Sequence, residues 1–435
     1  MKFDQTRKLQ NKSHRLIPGG AHTYAKGDDQ YPELAPGFIR RGSGCHVWDV
    51  DGNEFIEYNM GLRAVTLGHA YPEVVKAAEE AMHNGTNFTR PSPLEVECAE
   101  QFLDIIEGAD MVKFTKDGST ATTAAVTLAR AVTGRDKVAK CIDHPFFSYD
   151  GWSMCTTPVD AGIPQAERVN TVTFHYNDIE SVNALFEAHP GQIAAVILEA
   201  SRGDDPKDGF LHELRALCTK NGALLVLDEM ITGFRWHLGG GQAYYDVIPD
   251  LSTFGKALAN GFSVSALAGK REYMERGGLH HEKERVFLLS TTHGAETHGL
   301  AAAIATMTVY QREPVIEHLW RIGERLALGF TEATREAGLE DYVHVVGKPC
   351  CLAFATKGPD GEPSQAYRSL FLQETIARGV LMPSLVVSYS HTEDDIDRTV
   401  DAVRGALEIY TRAMNEGAER FLVGPPSKIV YRRYN

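Results

Sequence analysis

The sequence predicts an α/β fold on a mostly parallel sheet, followed by a smaller α+β region towards the C-terminus. Three observations predict it. The runs IAAVILE (193–199), ALLVLD (223–228) and VSALAG (264–269) are continuously apolar over strand length, as in strands covered on both faces. They alternate with helix-patterned segments such as 210–221, the order of βαβ units. Beyond about residue 300 the pattern changes to long amphipathic helices separated by short strands.

The elements follow in order. Residues 4–16 predict a helix, stopped by Pro18-Gly19-Gly20. A β-rich patch at 38–41, 45–50 and 54–58 comes next, with Val50-Asp51-Gly52-Asn53 as a hairpin turn. Segments 72–84 and 93–107 read as helices with proline near the start. MVKFT (111–115) is a strand and 120–133 a helix rich in Ala and Thr; VAKCI (138–142) and VNTVTF (169–174) are further strands. The C-terminal part has helices at 299–311, 315–337, 364–378 and 393–414, with short strands near 343–355. A chain of 435 residues exceeds one typical core, so more than one domain is expected.

Composition narrows the function. A formal charge of −14 disfavours nucleic acid or an anionic membrane surface as partner. No run of 18 apolar residues exists, and the opening MKFDQTRKLQNKSHRL has no apolar core for a secretory signal. The seven cysteines include no CxxC pair, which fits reduced, buried thiols in a cytoplasmic protein. The 17 histidines show no metal-ligand spacing, and His280-His281-Glu282 lacks the second histidine of HExxH, so no metal is expected. Gly239-Gly240-Gly241 is not a dinucleotide fingerprint, and neither GxSxG nor a Walker A loop occurs.

Three segments carry chemistry. In LLVLDEMITGFR (224–235) an apolar strand delivers Asp228 at its C-terminal edge, where ligands sit on open α/β sheets. In DLSTFGKALANGF (250–262) a short apolar strand ends at Gly255-Lys256, where poor solvation would make the amine nucleophilic towards a carbonyl. Taken singly, Asp228 could cap a turn and Lys256 could face water. Together they supply what pyridoxal phosphate (PLP) requires: a lysine for its aldehyde and a carboxylate for its pyridine nitrogen. The third segment, Lys116-Asp117-Gly118-Ser119-Thr120, joins a strand to a helix. Its backbone N–H groups and hydroxyls suit a phosphate, although the same turn could be a plain N-cap.

These segments, in this order, resemble the class III PLP-dependent aminotransferases, most closely glutamate-1-semialdehyde aminomutase and its relatives. The likeness extends through VWDVDGNEFIEY (47–58), LGHAYPEVV (67–75), PSPLEVECAE (91–100), LARAVTGRDKV (128–138), GGGQAYYDVIPDLSTFGKALANG (239–261), STTHGAETHGLAAA (290–303) and HTEDDIDRTVDAV (391–403). It implies a fold-type I architecture: a large domain around a mostly parallel seven-stranded sheet, and a small α+β domain made from both chain ends. The implied division is 1–70 joining the small domain, 71–305 as the PLP-binding domain, and 306–435 as the C-terminal small domain.

The resemblance also implies roles. Lys256 would hold PLP as a Schiff base and carry the proton, and Asp228 would pair with the ring nitrogen. Gly118, Ser119 and Thr120 would seat the phosphate, with Thr120 replacing the family's acidic residue. Thr292 would reach the phosphate of the neighbouring subunit, which implies a homodimer with shared active sites. Glu199 matches a glutamate near the cofactor, although Ala200 follows it where relatives have Pro. In HPFFSYDGW (144–152), Phe146 or Phe147 would cover the ring, and either could equally be a core residue.

The departures concern substrate. Lys26 stands where the aminomutase uses an arginine, so a planar two-pronged carboxylate contact is lost. The acidic residue expected after the C-terminal "APS" segment has no counterpart in LMPSLVVSYS (381–390), and Arg63 is an added cation, a substrate contact or an ordinary surface arginine. The expected activity is transfer of an amino group from an amino-acid donor to an aldehyde or ketone acceptor. An aminomutase and a PLP-dependent racemase or epimerase are the alternatives.

Overall fold

The computed structural model describes residues 1–435. Its strands are β1 (Ile39–Ser43), β2 (His46–Asp49), β3 (Glu54–Glu57), β4 (Met111–Thr115), β5 (Lys137–Cys141), β6 (Thr171–Phe174), β7 (Ile193–Glu199), β8 (Leu224–Asp228), β9 (Leu251–Phe254), β10 (Ser265–Gly269), β11 (Val343–Val346), β12 (Ala353–Thr356) and β13 (Val380–Leu381). The chain divides into two compact units, Met1–Tyr71 with Glu317–Arg432, and Pro72–Ile316 with Arg433–Asn435.

The second unit holds a seven-stranded sheet in the order β4-β10-β9-β8-β7-β5-β6. All its strands are parallel except β10, which runs antiparallel to both neighbours. This is the α/β sheet the apolar runs predict. The two faces are buried in separate cores. Ala195, Ile197 and Val226 pack with Ala125, Leu128 and Ala129 of the helix Gly118–Thr133. Val196, Leu198, Leu225 and Leu227 pack with Phe210, Leu211 and Leu214 of the helix Phe210–Asn221. Alternate residues of one strand therefore serve opposite faces, and the strands stay apolar up to the carboxyl groups, Glu199 and Asp228, at their C-terminal ends.

The first unit carries a four-stranded sheet, β1-β2-β3-β13. The hairpin turn forms as the sequence predicts: β2 and β3 pair antiparallel, and Asp49 Oδ1 accepts from the N–H groups of Asp51 and Asn53 at 2.9 and 2.8 Å. Strand β13 then adds in parallel beside β3, pairing Val380 with Ile56. The same unit brings Asp395 to the adjacent Cys45 and His46, far from it in sequence. They are knit by their own hydrogen bonds, since Asp395 accepts from His46 Nε2 at 2.9 Å and from the Thr392 N–H and hydroxyl at 3.0 and 2.7 Å.

Some boundaries differ from the sequence expectation. VNTVTF is divided: the helix Gln165–Asn170 ends before β6 begins at Thr171. The helix expected from residue 120 starts at Gly118, because Asp117 caps it by accepting from the Thr120 N–H at 2.9 Å.

Candidate active site

The C-terminal edge of the large sheet brings four candidate segments into one row. Strands β9, β8, β7 and β5 are consecutive neighbours and parallel, so Lys256 (after β9), Asp228 (ending β8), Glu199 (ending β7) and His144 (after β5) leave the same edge. The pairing is in register, with Glu199 opposite Asp228 and Asp228 opposite Thr253. Strand β4 points the same way, so the helix starting at Gly118 opens at this edge too. This is where an open α/β sheet binds ligands.

Asp228 is buried, at 3% exposure. Its Oδ1 accepts from the Met230 N–H at 2.9 Å and the Thr253 hydroxyl at 3.2 Å, which fixes the carboxyl orientation. Burial pushes this carboxyl up to about 7 and the nearby Glu199 adds to the rise, while the charge of Lys256 and the two hydrogen bonds oppose it. An acid so placed gains most from a cationic hydrogen-bond donor as ligand, which a protonated ring nitrogen supplies.

Lys256 follows Gly255 and opens the short 3-10 turn Lys256–Ala259. Its φ is +41°, in the left-handed region that costs a side-chain-bearing residue about 1–3 kcal/mol. The neighbours Ala257, Leu258 and Ala259 are fully buried, and the Ala257 carbonyl accepts from the Tyr310 hydroxyl at 2.7 Å. The lysine backbone is thus clamped in a strained geometry.

The phosphate cradle is narrower than expected. The Asp117 carboxylate accepts from both the N–H and the hydroxyl of Thr120, at 2.9 to 3.0 Å, which commits Thr120 to the helix cap. The N–H groups of Gly118 and Ser119 and the Ser119 hydroxyl remain to meet an anion at a helix of 16 residues. The 144–152 segment docks directly on this helix start. Thr122 donates to the Phe147 carbonyl at 2.8 Å, the Tyr149 N–H donates to Ser119 Oγ at 3.3 Å, and Thr123 is hydrogen-bonded to Ser148 at 3.0 Å.

The two aromatic candidates separate. Phe147 is enclosed in the core beside Trp152, whereas Phe146 is 46% exposed. Fully buried Lys140 pins the segment through Nζ, which donates to the Ser153 carbonyl and Thr156 hydroxyl at 2.8 Å and to the Pro145 carbonyl at 3.3 Å. Thr292 is exposed, and its carbonyl accepts from Asn87 Nδ2 at 3.0 Å.

Lys26 and Arg63 belong to the first unit. Lys26 is exposed and lines a cavity of about 1010 Å³ together with Asp28, Glu57, Asn59 and His69. Arg63 closes a run of four residues with positive φ, Met60 to Arg63, one turn of left-handed helix.

Sequence reasoning missed two members of the site. His144 Nδ1 accepts from the Glu199 N–H at 3.1 Å, so the imidazole, held below its ordinary value by burial, braces the end of β7. Arg202 Nη1 donates to Glu199 Oε1 at 3.0 Å, and the spacing of three residues was the available signal. The second oxygen of Glu199 is buried without a hydrogen-bond partner. Together with the buried Asp228, the adjacent Lys256 and the helix start, this donor and acceptor set fits pyridoxal phosphate.

Comparison with known proteins agrees. The family profile Aminotransferase class-III matches residues 26–404. Glutamate-1-semialdehyde 2,1-aminomutase of Desulforamulus reducens is 33% identical, over 93% of this chain and 98% of its own. That of Geotalea daltonii is 34% identical, over 92% and 98%. Among solved structures, the FumI protein of Sphingopyxis sp. MTA144 in a PLP form superposes with a TM-score of 0.86 at 28% identity, covering 94% of this chain and 97% of that one. An omega-transaminase from Sphaerobacter thermophilus gives 0.83 at 26% identity, covering 93% and 97%.

Proposed function

We propose the following function for this chain, which belongs to the class-III aminotransferase family and is a pyridoxal-phosphate enzyme: it transfers an amino group from an amino-acid donor to an aldehyde or ketone acceptor. The observation that carries the proposal is the coupling of a buried Asp228, ending β8, to the charge of Lys256 just beyond β9.

The bound cofactor supplies an aldehyde for the amine and a ring that accepts the electron pair left at the substrate α-carbon. Lys256 Nζ would hold the cofactor covalently through its aldehyde. The same Lys256 amine would be the base that takes and carries the substrate α-proton. Asp228 keeps the ring nitrogen protonated, which favours release of that α-proton. Gly118 and Ser119 would hold the phosphate, with Thr120 turned inward to Asp117. Phe146 is the better candidate for the ring face, since Phe147 is committed to the core. Glu199 stands beside Asp228 at the sheet edge.

The working form in this proposal is a homodimer, with Thr292 reaching the partner's phosphate. Large apolar side chains left in water support it: Phe287 is 84% exposed and Leu279 77%. A cytoplasmic location is supported by seven free thiols. No helix is long and apolar enough to cross a membrane.

An aminomutase is the second reading, favoured by the names of the relatives that are 33–34% identical. Lys26 in place of arginine weighs against it, and Arg63 is a further candidate for a substrate anion. The test is to incubate the holoenzyme with glutamate 1-semialdehyde alone, and separately with paired amines and carbonyl acceptors. Amino transfer between two separate molecules, with no isomerisation of the semialdehyde, is expected. Isomerisation alone would establish the aminomutase, and exchange of the α-hydrogen without amino transfer would establish a racemase or epimerase.

A further inference from the structure

Glu199 and Arg202 form an ion pair that the proton transfers at Lys256 do not themselves require. Arg202 reaches back across the turn after β7 to Glu199 Oε1 at 3.0 Å. The partners are unequally placed, with the Glu199 side chain 5% exposed and that of Arg202 41%. The turn between them is fixed: the Tyr176 hydroxyl donates to the Ala200 carbonyl at 2.6 Å, and Ser201 Oγ to the Asp204 carbonyl at 3.0 Å. Ala200 therefore lies in a braced turn that returns the guanidinium to the strand end. Glu199 stands in register with Asp228 on the next strand, and its Oε2 has no hydrogen-bond partner. At this burial an unneutralised carboxylate is costly, and its charge acts strongly on the acid beside it.

We propose that Arg202 is a positioning residue for amino transfer: by pairing with Glu199 it neutralises the charge next to Asp228, and so keeps Asp228 an anion against the ring nitrogen of the bound cofactor. The inference rests on the role given to Asp228 above. Burial and Glu199 both favour a protonated Asp228, so a cation fixed on Glu199 works in the opposite sense. Glu199 is Asp228's neighbour in the ladder, and its charge raises the Asp228 carboxyl. Loss of the guanidinium would move the shared proton from the ring nitrogen towards Asp228.

The test is the nitrogen NMR spectrum of the holoenzyme loaded with pyridoxal phosphate isotopically labelled at the ring nitrogen, whose shift reports the proton there. Wild type and R202K are expected to give the protonated signal. R202Q is expected to shift towards the unprotonated position. E199Q and the double variant E199Q/R202Q are expected to stay protonated, because no charge is left to neutralise. An R202Q signal equal to wild type overturns the proposal, as does an equal R202Q shift in the E199Q background. D228N separates the two layers. If it moves the signal and R202Q does not, only the role of Arg202 fails; if D228N also leaves it unmoved, the role of Asp228 fails.

Discussion

Glu199 and Asp228 end adjacent parallel strands in matched register, so two carboxyl groups leave the sheet edge side by side. One is held by Arg202 and the other is coupled to Lys256. The site is thus a short row of ionisable side chains, Arg202, Glu199, Asp228 and Lys256, laid across three strands with the two carboxyl groups adjacent. Its properties depend on the middle pair, and the first two tests below probe Asp228.

The buried acid should make the cofactor-free protein pH-sensitive. The unfolded chain gives up the Asp228 proton near 3.8, whereas the folded protein keeps it to about 7. Across that window the unfolded state binds fewer protons, so this residue's contribution to stability falls as pH rises, and the loss is complete above about 7. Its size is on the order of a few kcal/mol. Urea unfolding of cofactor-free wild type and Asp228→Asn should therefore give curves that diverge in favour of the variant between acid and neutral pH. A constant difference would contradict the raised value.

Activity should respond to the same residue in the opposite direction. Asp228→Asn removes the anion that keeps the ring nitrogen protonated, and kcat should fall about 100- to 1000-fold. Single-turnover spectra should show binding of the donor with slowed proton removal. A variant with near-normal kcat would mean that the ring nitrogen is served by another group.

Gly255 is a close-approach position. A Cβ there would lie 2.6 Å from Ser265 Oγ and 2.7 Å from Met230 Sδ, and Met230 N–H is a fixing bond of Asp228. Gly255→Ala should cost about 1–3 kcal/mol of stability, as overpacking does, and should weaken cofactor retention by displacing Lys256 or Asp228. Thermal melts with and without added cofactor would measure both effects.

Lys140 is an internal staple for the 144–156 segment. Burial lowers its ammonium to about 8, yet three oxygens accept from it. Lys140→Met leaves those acceptors bare and should cost about 1–3 kcal/mol, with faster proteolysis within the segment. Unchanged stability would show that the buried charge costs as much as its bonds return.

Much of this was legible in the sequence because it rests on local pattern. The helix Asp4–Leu16 ends where Pro18 requires, and IAAVILE coincides with β7 because both faces of that strand need apolar side chains. Lys256 and Asp228 were legible as a chemical pair, since each stands where an apolar strand ends. What was not legible depends on tertiary contact. Nothing in VSALAG separates an antiparallel β10 from a parallel one. Two residues of β13 carry no periodicity, and their strand exists only because β3 has an open edge. His144 joins the site through a bond to the backbone of β7, and Thr120 turns to Asp117 because the cap fixes the first helical turn.

The central claim, that Lys256 is the residue that carries the cofactor, has a direct measurement. The protein isolated with its cofactor should be reduced with borohydride, digested, and its modified peptide sequenced. The reduced pyridoxyl group is expected on Lys256, within DLSTFGKALANGF, and on no other lysine. A label on a different lysine, or none on a protein that transfers amino groups, would contradict the account.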